Sequence, residues 1–158
     1  MLMWRQLSIL LILCSSFACM AQQPSQIAIS DSYLSATFPM ANSAAGYFTL
    51  TNTSDEPVVV TGISVSSTIA KGASLHETVV DDEIVSMRPL HKLTLNAGQT
   101  VRFEAGGKHI MLTGLNKPLT VKMTVDVTFL LGNRPPVSQT FQVHPAEHDK
   151  AKSQHDHH

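Results

Sequence analysis

The sequence predicts an all-β fold, an antiparallel β-sandwich, and three observations carry that expectation. Short runs rich in β-branched and aromatic residues recur at near-regular spacing, such as 44–52 (AAGYFTLTN) and 58–65 (VVVTGISV). One run alternates strictly: Val121, Met123, Val125, Val127 and Phe129 on one parity, Thr120, Lys122, Thr124, Asp126 and Thr128 on the other. Turn-forming clusters separate the runs, and none of the runs keeps a helical period.

The elements follow in order. Residues 27–30 and 33–38 read as two short strands, the second ended by Pro39. The strand over 44–52 ends in the turn cluster Asn52-Thr53-Ser54-Asp55-Glu56-Pro57. A strand over 58–65 precedes an ambiguous stretch, 66–71. The pattern returns over 73–80, and Asp81-Asp82-Glu83 makes a charged turn, so His76 and Met87 flank one hairpin. Residues 92–95 and 100–104 are short strands around the turn Asn96-Ala97-Gly98-Gln99. Ala105-Gly106-Gly107-Lys108 breaks the chain before a strand over 109–113. The alternating run spans 119–131, and after Gly132-Asn133-Arg134-Pro135-Pro136 a last strand covers 137–143.

Length and composition bound the function. The 158 residues suit one domain, 43% hydrophobic content allows a sizeable core, and a net charge of −1 with no basic patch argues against nucleic acid. Residues 1–21 carry Arg5, the apolar run LSILLIL over 7–13 and small residues up to Ala21, the pattern of a cleaved secretory signal. Ser16 stands where a lipobox wants an aliphatic residue, so lipidation at Cys19 and membrane anchoring are not expected. Cleavage after Ala21 removes both Cys14 and Cys19, leaving no thiol. The domain is then expected over 22–143, followed by a polar, disordered tail over 144–158 with His144, His148, His155, His157 and His158.

The stretch 74–115 holds His76, Met87, His109 and Met111. Two imidazoles and two thioethers form a coherent ligand set. Thioether sulfur is soft and neutral and favours Cu(I), while imidazole accepts copper in either oxidation state. With no thiolate or carboxylate in the set, a dedicated zinc or calcium site is disfavoured. His109 and Met111 are two apart, so a strand aims both at one face. Taken singly, each Met reads as core filler and each His as an ordinary surface residue. Met40, Met123 and His91 keep those readings. His76-Glu77 lacks the second histidine of a metalloprotease motif, and Gly106-Gly107 lacks phosphate-loop spacing.

The intervals His76, ten residues, Met87, twenty-one residues, His109-Ile110-Met111 resemble the signature of the periplasmic copper chaperones called PCuAC. AAGYFTLTN at 44–52, LHE at 75–77, MRPL at 87–90 and LNAGQTVRFEAGGKHIMLTGL at 95–115 resemble that family too, so the likeness covers about residues 27 to 143. It implies a cupredoxin-like Greek-key sandwich, a periplasmic location and no enzymatic activity. It implies Cu(I) held by His76, Met87, His109 and Met111. It further implies delivery towards the dinuclear copper site of cytochrome c oxidase, with an oxidase subunit or a thioredoxin-like assembly factor as acceptor. A monomer is expected, and the histidine-rich tail is expected to capture Cu(II) as an auxiliary site. Three other readings stand beside this one: copper sequestration for resistance, a metal-free interaction sandwich, and a blue-copper electron carrier. The last needs a Cys thiolate that the mature chain lacks.

Overall fold

The computed structural model describes residues 26–81 and 84–146. The expected signal segment, both cysteines, Asp82-Glu83 and the tail histidines from His148 onward lie outside the described residues. The described residues form ten strands: β1 Ile27–Ser35, β2 Ser43–Asn52, β3 Val58–Val65, β4 Ala70–Asp81, β5 Ile84–Pro89, β6 Leu93–Leu95, β7 Thr100–Phe103, β8 Lys108–Leu115, β9 Thr124–Leu131 and β10 Arg134–His144. Hydrogen bonding runs β5-β4-β8-β2-β1-β10-β9-β3-β6, with β7 also on β2. This path folds over on itself as a cupredoxin-like β-sandwich. All pairings are antiparallel except β1 with β10, which is parallel through Tyr33↔Gln142, Leu34↔Val143 and Ser35↔His144. That pair joins the two halves of the sandwich and qualifies the purely antiparallel expectation.

The core lies between the halves. Phe48 of β2 stacks on Phe103 of β7 at 4.2 Å and meets Phe129 of β9 and Phe141 of β10 edge-on at 5.2 and 5.8 Å. Leu75, Ile110 and Leu112 supply the β4–β8 side, and Val58, Val60 and Ile63 the β3 side. Gly46 allows a close approach: a Cβ there would lie 2.5 Å from Leu34 Cδ2 and force that buried side chain to shift.

Several boundaries differ from the sequence expectation: β4 starts at Ala70 and β10 at Arg134, and three further differences have a clear physical cause. Residues 27–35 form one strand, not two, because a bulge between Ser30 and Tyr33 absorbs the break, with Asp31 at φ 52°. The extra residue reverses parity, so Ile29 pairs with Leu50 before it and Leu34 with Gly46 after it. The alternating run becomes strand only from Thr124. Lys122 sits at φ 73°, a left-handed conformation that ends strand geometry, and Val121 is exposed. The last strand takes in His144, which the tail was expected to hold. Its ring stacks on Tyr33 at 5.1 Å, and its carbonyl accepts the Ala36 N–H at 2.8 Å.

Asn52 closes β2 and is fully buried. Its Nδ2 donates to the carbonyls of Glu56, Leu95 and Asn96, and its Oδ1 accepts from Ser54 N and Oγ. Side-chain amides rarely serve so many buried groups, and removal strands them all. Asn52→Ala is expected to cost about 2 kcal/mol of stability, read as a lower urea midpoint. An unchanged midpoint would show that these bonds are replaced by water.

Candidate metal centre

The site is set by three strands at one edge of the sheet. In β4, residues 74, 76 and 78 share a face opposite Leu75, which is buried in the core. Residues directly opposite in a ladder lie on the same face. Ser74 is opposite Met111, His76 opposite His109, and Thr78 opposite Met87. The structure therefore brings all four ligand-type residues to the outer face of β5-β4-β8. Ile110 and Leu112, between and beyond the β8 pair, face the core.

Exposure is graded across this face. His109 is 7% exposed, His76 and Met111 are half-buried, and Met87 is 63% exposed. A core role for Met87 is excluded by that value. Met123, in contrast, packs against the core, and Met40 is 94% exposed on the loop before β2.

The His76 and His109 rings lie 5.9 Å apart between centroids, at 78° to one another. A copper–imidazole bond of about 2 Å puts a ring centre about 3 Å from the ion, so two rings on one ion stand roughly 5 to 6.5 Å apart. The observed separation falls in that range. His109 Nδ1 faces the Gly107 carbonyl at 3.2 Å, and the same carbonyl accepts the Thr78 N–H at 3.1 Å. With Nδ1–H donating there, Nε2 is left free to ligate, the usual arrangement behind a metal-binding imidazole. Gly106 at φ 80° makes the turn that delivers Gly107 and His109 to the strand start. His76 Nδ1 is buried and has no hydrogen-bond partner among the described residues. Such a nitrogen costs about 1–3 kcal/mol unless something satisfies it, which a metal ion at this face would do.

The His76 imidazole is held below its ordinary pKa, first by burial, then by the charges of His109 and His91. The shift favours the neutral ring, the form that can ligate a metal. Its contribution to stability is present above the ordinary imidazole pKa and falls away as the pH drops through the depressed folded value.

Glu77 does not orient His76. It points to the opposite face and pairs with Lys108 at 2.5 Å. Among the described residues no three His, Cys, Asp or Glu side chains converge on one ion position. The arrangement is two imidazoles with thioethers, which suits a soft monovalent ion. Sequence reasoning set His91 aside as a surface residue. It is exposed, but the Leu90 N–H bonds to the Leu75 carbonyl at 2.8 Å, which holds the chain beside β4 up to this residue.

Comparison with known proteins agrees with this picture of the fold. The copper-bound PCuAC domain of PmoF2 superposes with a TM-score of 0.62 at 19% identity, over 76% of this chain and 93% of that one. The Deinococcus radiodurans protein DR1885 in its CuI form gives 0.56 at 28% identity, covering 73% of this chain and 77% of that one. Its apo form gives 0.60 at 25% identity, over 92% and 97%. A Leifsonia xyli subsp. xyli protein, named as the lipoprotein Lxx21020, is 33% identical over 97 residues, 60% of this chain. The matched segment spans only 57% of that relative's length. The LpqE-like family model, likewise named for lipoproteins, matches residues 27–143. The chain belongs to the LpqE-like family, and its domain has the PCuAC fold.

Proposed function

We propose that the chain binds one Cu(I) through His76, Met87, His109 and Met111 and hands it to another exported protein. One observation carries the reading: two imidazoles stand directly opposite each other on adjacent strands, with a methionine on the same face on either side. The copper bound in the PmoF2 and DR1885 structures supports it. Neutral ligands leave the ion's charge uncompensated, which favours Cu(I) and keeps the bonds exchangeable. The gradient of exposure gives an order of transfer. His109 holds the ion from below, and an acceptor's ligand displaces Met87 first, from solvent. That accessible outer ligand favours delivery over sequestration.

The acceptor in this reading is a copper-accepting protein, an oxidase subunit on the way to the dinuclear copper site of cytochrome c oxidase or a thioredoxin-like assembly factor. The role is binding and transfer, not catalysis. The lipoprotein names of the family and the relative support export and give weight to Cys19 as a lipid-bearing residue. Mass spectrometry of the mature N-terminus separates a chain beginning at Gln22 from a lipidated one beginning at Cys19.

The test is Cu(I) competition against a chromophoric chelator. One tight equivalent is expected. Met87→Ala and Met111→Ala should each weaken it about tenfold, with the β-sheet circular dichroism retained. Unaltered affinity in both variants would remove the thioethers from the site.

A further inference from the structure

We propose that His91 is a third imidazole of this site, recruited with His76 and His109 when the bound ion is Cu(II). The proposal rests on the copper reading above and adds a residue to it. Its basis is the register of the β4–β5 hairpin. His76 pairs with Pro89, Glu77 with Arg88 and Thr78 with Met87. The Leu90 N–H to Leu75 carbonyl bond extends that register by one residue past the ladder. Leu90 accordingly packs towards the core, as Leu75 does. One residue further, His91 falls level with Ser74, which itself lies opposite Met111. This is the outer face, diagonal to His76, with β4 between it and Met111.

The chemistry gives the position a use. Thioethers are poor ligands for Cu(II), whereas imidazole nitrogens suit it well. To Cu(II), a site of two imidazoles and two thioethers offers only half its donors as good ligands. An exposed histidine beside His76 can replace one of them by a side-chain rotation, with no movement of the ladder. Rotation is needed, because no three histidines converge among the described residues. Met87 and His91 flank Pro89 on the same side of the hairpin, so a change of ion charge exchanges one neighbour for the other. The same three strands then retain copper in both oxidation states.

The test uses the full chain with His148→Gln, His155→Gln, His157→Gln and His158→Gln, so that His76, His91, His109 and His144 are its only imidazoles. Cu(II) is added and nitrogen hyperfine structure is read by electron paramagnetic resonance, with affinity measured by competition. Three coupled nitrogens are expected. His91→Ala and His91→Gln should each leave two and weaken Cu(II) by about tenfold, while Cu(I) affinity changes by less than about twofold. His144→Ala should be silent. Three nitrogens retained in both His91 variants, or a nitrogen lost with His144 instead, would overturn the proposal. So would a parent chain that binds no Cu(II). Those outcomes leave the Cu(I) reading standing, because only loss of the tight Cu(I) equivalent removes that one.

Discussion

His109→Ala is expected to weaken Cu(I) binding by about 100-fold, roughly 2.7 kcal/mol. His109 is the most buried of the four candidate ligands and the one whose orientation is fixed by another group. A flexible ligand must be ordered when the ion arrives, and that ordering opposes binding. His109 is ordered beforehand by the Gly107 carbonyl, so its loss removes a donor that binds at little entropic cost. Met87, exposed at the edge, carries a smaller expectation, about tenfold in affinity, with the larger effect on exchange rate. Competition against a chelator measures the first, and stopped-flow transfer to that chelator measures the second. A His109→Ala chain with wild-type affinity would mean that the ion sits elsewhere.

Phe48→Ala is expected to cost about 4 kcal/mol of stability. The ring is 2% exposed and touches aromatic partners from three other strands. Those partners lie in both halves of the sandwich, so one truncation opens a cavity at their junction. With a urea slope of about 2 kcal/mol per molar, the unfolding midpoint should fall by about 2 M. The metal face lies on the other side of β4 and β8 from this cluster. Copper affinity of the molecules that remain folded should therefore be nearly unchanged, which separates a stability effect from a binding one. A midpoint shift below about 0.5 M would show that Phe103, Phe129 and Phe141 close the gap.

Much of this architecture was legible in the residues, and the hairpin shows why. Pairing outward from Asp81 and Ile84 carries Thr78 to Met87 and His76 to Pro89, as the charged stretch read there as a turn requires. Local chemistry sets such a pairing. The same pairing carries His91 to Ser74, so the signal for that histidine was present, although its residue type alone suggests only an exposed side chain. The pairing of β4 with β8, which sets His76 against His109, joins residues far apart in the chain. No local pattern announces it, and only the resemblance anticipated that these residues act together. Two misread stretches have physical causes. Asp31-Ser32 carries the composition of a break, and the sheet uses it as a bulge. Val121 and Met123 fit the parity of the strand that follows, but Lys122 turns the backbone before it begins. His144 looked like the first residue of a polar tail. Its place in β10 comes from contact with Tyr33, which no neighbour in sequence reveals.

The Gly107 carbonyl serves two donors, the Thr78 amide of the adjacent strand and the His109 ring. The oxygen that zips β8 to β4 is thus also the one that aims the imidazole. Grip on the ion and closure of that zipper share an atom. A fluctuation that parts the strands at Thr78 also frees the ring to swing, and a bound ion, by holding the ring, resists the parting. On the proposed reading, the cargo would act as a clasp on the very strands from which it must be released.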